Sequence, residues 1–170
     1  TLSFMPRYTI KKEHTYQMFF LMASFNQMKD YSGYYSADAP SRDIDFRQFS
    51  FSYNISFPNR NISLHAALSY SNMLSAMVES RYSGVSLGGS RTWMDSKLQT
   101  AINGSIMLNK TGSTSSAITN VSLNANYALS KMHALRGMLF LTNNRSQVSV
   151  SDGYPSFRET RAEISYLFTW

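Results

Sequence analysis

Along most of this chain apolar and polar residues alternate one for one. Between Arg47 and Phe57 the odd positions are Phe49, Phe51, Tyr53, Ile55 and Phe57, and the even ones are Gln48, Ser50, Ser52, Asn54 and Ser56. A period of two sends the two sets to opposite faces of a β-strand. The same alternation runs through Ile62–Leu74, Arg81–Trp93, Leu98–Asn109, Ala117–Leu129, His133–Asn143 and the closing Phe157–Trp170. Thr1–Ile10 alternates as well, although Pro6 weakens it as a central strand. Thr15–Gln27 is apolar on both faces, with Tyr16, Met18, Phe20 and Met22 on one and Phe19, Leu21 and Phe25 on the other, so its orientation stays open.

These segments make about nine strands of roughly 10–13 residues, close to the ~9–11 that a tilted membrane strand needs. Short polar turns follow the first, third, fifth and seventh: Lys11–His14, Pro58–Asn61, Met94–Ser96 and Ser130–Met132. Most of the other connections read as longer loops, namely Met28–Asp43, Ser75–Glu79, Lys110–Ser115 and Arg145–Ser156. Short turns at one end and longer loops at the other are the habit of outer-membrane barrels. The expected fold is therefore all-β, an antiparallel up-and-down transmembrane β-barrel formed by residues 1–170 as one domain. Single-chain bacterial barrels have even strand numbers. Nine strands imply either the C-terminal part of a longer chain and a larger barrel, or a closed eight-stranded barrel with Thr1–Ile10 as a lead-in.

Composition sharpens this picture. Charged residues are 15% of the chain, against ~25% in soluble domains. The polar faces carry Ser, Asn, Gln and Gly rather than Lys and Glu, which suits a crowded, wet lumen better than a solvated surface. No run approaches the ~18 apolar residues of a membrane helix, which excludes helical spans only. The net charge of +6 is scattered over the chain, so nucleic acid is not expected as a partner. With no Cys there is no thiol chemistry, and neither a cofactor nor a metal site is expected. Nor is an enzyme: GxSxG, HExxH and P-loop motifs are absent, and Asp is confined to turns and loops. His65 reads as a polar lumen residue, and His14 and His133 fall in or beside turns.

Three groups of residues are candidates for function. Tyr8, Phe57, Trp93, Tyr127 and Trp170 end five strands on the apolar parity, as a periplasmic aromatic girdle would. Arg136, Glu159, Arg161 and Glu163 form a charged patch facing the lumen, either a selectivity element or a salt-bridge network that holds register. Arg81 and Arg158 stand on the lipid-facing parity near the loop end, placed to meet lipopolysaccharide phosphates or to snorkel to headgroups.

The strand style, the turn Leu129-Ser130-Lys131-Met132-His133 and the ending Phe157-Arg158-Glu159 … Tyr166-Leu167-Phe168-Thr169-Trp170 resemble the carboxyl-terminal barrels of Bacteroidota outer-membrane proteins. Trp170 departs from the Phe that often ends that group. The resemblance implies an outer-membrane location and insertion by the barrel-assembly machinery; the asymmetry of turns and loops puts the C-terminus on the periplasmic side. A transport, secretion or anchoring role is expected. Because strand 15–27 is apolar on both faces, one of them looks inward and is expected to be packed, by the opposite wall in a small barrel or by a plug or partner subunit in a large one. The competing expectation is a soluble or surface β-sandwich that binds a partner through its Tyr-rich loops; its discriminator is extraction as a monodisperse species without detergent. The faces themselves are testable by denaturant unfolding of the lipid-reconstituted protein. Phe51→Lys is expected to cost about 2–4 kcal/mol at a bilayer midplane, and Ser52→Lys far less; the opposite ranking shows the faces reversed.

Overall fold

Each alternating segment forms strand, and from β3 to β10 every strand pairs antiparallel with its sequence neighbours. A computed structural model describes residues 1–29, 43–75, 78–147 and 156–168. It contains β1 (Leu2–Phe4), β2 (Arg7–Lys12), β3 (Thr15–Met28), β4 (Ile44–Phe57) and β5 (Ile62–Ser75). There follow β6 (Glu79–Trp93), β7 (Leu98–Thr111), β8 (Thr114–Ala128), β9 (His133–Gln147) and β10 (Phe157–Phe168). All ten belong to one sheet in the order β1-β3-β4-β5-β6-β7-β8-β9-β10, with β2 beside β3. Among the described residues no second sheet covers it, and it is open: β1 and β2 edge one side, β10 the other.

Ten strands replace the expected nine because the first is broken at Pro6. β1 and β2 share one register on β3, since Leu2 faces Phe25 and Arg7 faces Phe20. Pro6 O accepts a hydrogen bond from Leu21 N at 3.1 Å. In a hydrogen-bonded antiparallel pair both residues donate, and proline has no N–H to return. Together β1 and β2 occupy the edge of β3 opposite β4. The lead-in arrangement, in which β3 would close an eight-stranded barrel on β10, is therefore not the one found.

Register resolves the orientation of β3. Phe51 of β4 faces Leu21, Tyr53 faces Phe19, and Phe19 in turn faces Tyr8. Cross-strand partners share a face, so Phe19, Leu21 and Phe25 join the apolar side. Met18 faces Asn54 and Phe20 faces Ser52, which leaves Met18, Phe20 and Met22 as an apolar island on the polar side. The apolar side is continuous across the sheet, as in the row Leu68, Val85, Ile106.

The connections depart from the expected asymmetry. Lys110–Ser115 is not a loop: Thr111 pairs with Thr114, and only Gly112 and Ser113 turn the chain. Gly112 takes φ 57°, as the first position of a II′ hairpin requires. β9 likewise runs on to Gln147, which takes Arg145 out of the loop assigned to it. The expected loop over Met28–Asp43 lies largely, and the end residue Trp170 wholly, outside the described residues.

Burial is inverted relative to a soluble protein. No hydrophobic side chain among the described residues is buried. On β8, Val121, Leu123 and Tyr127 are exposed, while Asn120, Ser122, Asn124 and Asn126 are half-buried. The Pro6 gap yields a prediction. Pro6→Thr supplies the missing donor to Leu21 and is expected to stabilise the sheet by about 0.5–1.5 kcal/mol. Thermal unfolding in detergent checks it; a lower midpoint than the parent's would show that proline's fixed φ matters more than the lost bond.

Candidate functional site

Hydrogen-bonded rows across the sheet locate each residue along the strands. Tyr8 shares a row with Phe19 and Tyr53, four residues short of Phe57. Phe57 shares a row with Ile62 and Arg91, two residues short of Trp93. Trp93, Leu98, Tyr127, Leu135 and Tyr166 share a single row. The line of aromatic ends thus slips toward the short turns by six residues over the six steps from β2 to β8. One residue of ~3.3 Å per ~4.8 Å strand spacing corresponds to strands tilted about 35° from the perpendicular to that line. Strands of closed barrels tilt by ~35–45°.

The aromatic residues near these strand ends also contact their neighbours. Arg91 lies over the Trp93 ring, its guanidinium carbon 3.7 Å from the ring centroid. Trp93 Nε1 donates to Thr100 Oγ1 at 3.0 Å. Tyr8, Phe19 and Tyr53 form a chain of rings with centroids 6.4 and 4.8 Å apart. His133, which the sequence left without a setting, stacks on Tyr166 and shares a hydrogen bond with its hydroxyl through Nδ1. Its ring also lies 5.0 Å from that of Phe168. Parity alone assigned His133 a face; only the β9–β10 register brings these rings together.

At the other end of the same face runs a line of cations. Arg47, Asn72, Arg81 and Lys110 share one row. Arg145 stands two residues and Arg158 four residues nearer the short turns, relative to that row. This line slips in the same direction as the aromatic one. The two are 10 residues apart on β4 (Arg47 to Phe57) and β10 (Arg158 to Phe168), and 12 on β6 (Arg81 to Trp93) and β9 (His133 to Arg145). At a tilt of about 35° those spans are about 27–32 Å high. Between the lines, on this face, the described residues include one charge, Arg91, and it stacks on Trp93.

Arg81 and Arg158 do not come together; β7, β8 and β9 lie between their strands. Arg81 instead lines a groove of 530 Å³ with Lys110 and Arg145, floored by Tyr70, Leu108 and Ala117. Arg81 Nε donates to Glu79 at 2.7 Å and Arg47 Nη2 to Asp45 at 2.8 Å. Lys110 and Arg145 were hidden from the sequence reading because both were counted as loop residues. Their parity with Leu108 and Leu141 was the available signal.

On the polar face Arg136, Glu159, Arg161 and Glu163 do share one side of β9 and β10. The ion pair formed is Arg161 to Glu163 at 3.3 Å, within one strand and exposed, and among the described residues no ion pair joins β9 to β10. An exposed pair of this kind contributes ~0–1 kcal/mol, so it does not hold the register. Arg136 and Glu163 line a 440 Å³ hollow with Gln99, Asn124, Asn126 and Met138. Elsewhere the polar face is knit by uncharged groups: Thr142 Oγ1 donates to Asn120 Oδ1 at 2.9 Å and Ser80 Oγ to Thr111 Oγ1 at 3.1 Å. His65 lies across Gly88, facing Asn54 in the ladder. No cluster of three or more potential metal ligands occurs among the described residues.

Comparison with family models, curated proteins and solved structures finds no match for this chain.

Gly88 is where the polar face is tightest. A Cβ there would lie 2.2 Å from His65 Cε1 and 2.3 Å from Asn103 Oδ1. Gly88→Ala must displace both side chains, including the Asn103 Nδ2 bond to Ser122 Oγ at 3.4 Å. The expected cost is about 1 kcal/mol. In a His65→Ala, Asn103→Ala background the same change should cost close to nothing, as a double-mutant cycle in urea would read out. Equal costs in both backgrounds would show that this contact is not limiting.

Proposed function

We propose that this chain is an integral wall of a bacterial outer-membrane β-barrel, with its apolar face toward lipid and its polar face toward the lumen. The single observation that carries the reading is the bounded band on the apolar face. An aromatic line and a cationic line cross the sheet 10–12 residues apart, both stepping toward the short turns, and among the described residues Arg91 is the one charge between them. Their separation of about 27–32 Å suits the ~25 Å apolar belt of such barrels and the ~30 Å hydrocarbon core. The absence of buried hydrophobic side chains among the described residues supports the same reading, since the apolar face then needs a non-aqueous neighbour.

In this reading the short turns and the C-terminus are periplasmic, and the cationic line lies at the outer leaflet. The style of the last strands, similar to Bacteroidota barrels, adds assembly by the barrel-insertion machinery. The role is transport, secretion or anchoring, with the lumen filled rather than open. The island of Met18, Phe20 and Met22 on the polar face is the place for a plug or a partner subunit, because exposing it to a water-filled pore costs ~25 cal/mol per Å².

Depth-dependent quenching tests the placement. In a Trp170→Phe variant reconstituted in vesicles, Trp93 is expected to be quenched more by bromines near the carbonyl end of the lipid chain than by those near its methyl end. A Phe51→Trp variant lacking both native tryptophans is expected to show the reverse order. If neither tryptophan responds to brominated lipid, the membrane reading fails.

A further inference from the structure

The groove among Arg81, Lys110 and Arg145 has a composition of its own. Arg81 and Lys110 are ladder partners on β6 and β7. Lys110 faces Ser115 on β8, and Arg145 of β9 faces Ala117, the next outward residue of β8. Three cations therefore converge from three strands on one 530 Å³ groove. Glu79 offsets one of them through Arg81, leaving an excess of positive charge carried by Lys110 and Arg145. All three basic side chains are exposed. Toward the short turns the groove continues into an uncharged surface of Val85, Ile106 and Leu68.

We infer that this groove binds the phosphate of a lipid headgroup, with the acyl chains lying on the apolar surface below. The inference rests on the membrane reading above. A phosphate takes charge-assisted hydrogen bonds from guanidinium and ammonium donors. Free phosphate and a phospholipid offer the same charge. The floor of Tyr70, Leu108 and Ala117 distinguishes them, because a free anion gains nothing from it, whereas an amphiphile covers it. Arg158, on β10, does not line this groove.

The test uses the full chain reconstituted in phosphatidylcholine vesicles, with spin-labelled phosphatidic acid and spin-labelled diacylglycerol of matched chains as probes. The parent is expected to favour phosphatidic acid over diacylglycerol. Each cation near a lipid surface contributes about fivefold, so Arg81→Gln, Lys110→Gln, Arg145→Gln together should lower that preference by about tenfold or more. The double variant Lys110→Gln, Arg145→Gln leaves the Arg81–Glu79 pair intact and should show most of the loss even if the triple variant misfolds. Arg60→Gln, Lys97→Gln, at the short-turn end, should leave the preference unchanged. A parent that enters the vesicles without favouring phosphatidic acid overturns the site and leaves the membrane reading standing. A double variant that folds and keeps the preference overturns it too. Loss of the preference in excess inorganic phosphate would assign the groove to the free anion and overturn the lipid assignment. A chain that fails to float with phosphatidylcholine vesicles overturns both this site and the reading it rests on.

Discussion

The antiparallel ladder is the constraint on which everything else in this molecule depends. Because partners across the ladder share a face, one register error would send every large apolar side chain of a strand to the polar side. From β3 to β10 the pairing keeps the faces intact: Phe51 meets Leu68, Leu68 meets Val85, and Val85 meets Ile106. The result is a single sheet with one greasy side and one side rich in hydroxyl and amide groups. Its cohesion is lateral and comes from backbone hydrogen bonds. Among the described residues no layer of side chains packs beneath it, so the usual hydrophobic core has been exchanged for a surface.

That exchange explains how much could be read from the sequence. Faces were legible wherever a strand alternates, because alternation is a local property. In β3 both parities are apolar, and the answer lay in its neighbours: Phe51 and Tyr53 claim Leu21 and Phe19. Height along the strand was not legible either, since it depends on pairings between residues distant in sequence. Trp93 and Tyr127 were each recognisable as aromatic strand ends, but the row they share with Tyr166 exists only through the register. The same limit hid the cationic groove. Lys110 and Arg145 sit among turn-forming residues, and local composition counted them as loop while tertiary pairing extends the strands through them.

The polar face shows why charge and structure are largely separate here. In β3 to β8 its described residues contain no Asp, Glu, Lys or Arg. Hydroxyls and amides pair with one another across the ladder, as Thr142 does with Asn120 and Asn103 with Ser122. Such bonds are neutral and short-range and tolerate a confined, wet environment without the desolvation cost that a buried ion pair carries. Gly88 belongs to this economy of space, since its missing side chain lets His65 and Asn103 lie over the strand.

Charge returns to the polar face only at the margins. Arg7 and Lys11 project from β2, and Arg136, Glu159, Arg161 and Glu163 from β9 and β10. Inward charges on outer strands are one way in which sheets restrain unwanted edge pairing. In a bilayer, however, a bare edge is not tolerable, because unpaired N–H and C=O groups cost several kcal/mol each in hydrocarbon. A membrane setting therefore requires a strand on the outer side of β1 and β2 and another on that of β10. β2 and β10 both run toward the short turns, so pairing them directly would be parallel. An odd number of intervening strands, from this polypeptide or another, restores an antiparallel ring throughout. With β1 and β2 counted as one, such a ring has an even number of strands, as bacterial single-chain barrels do.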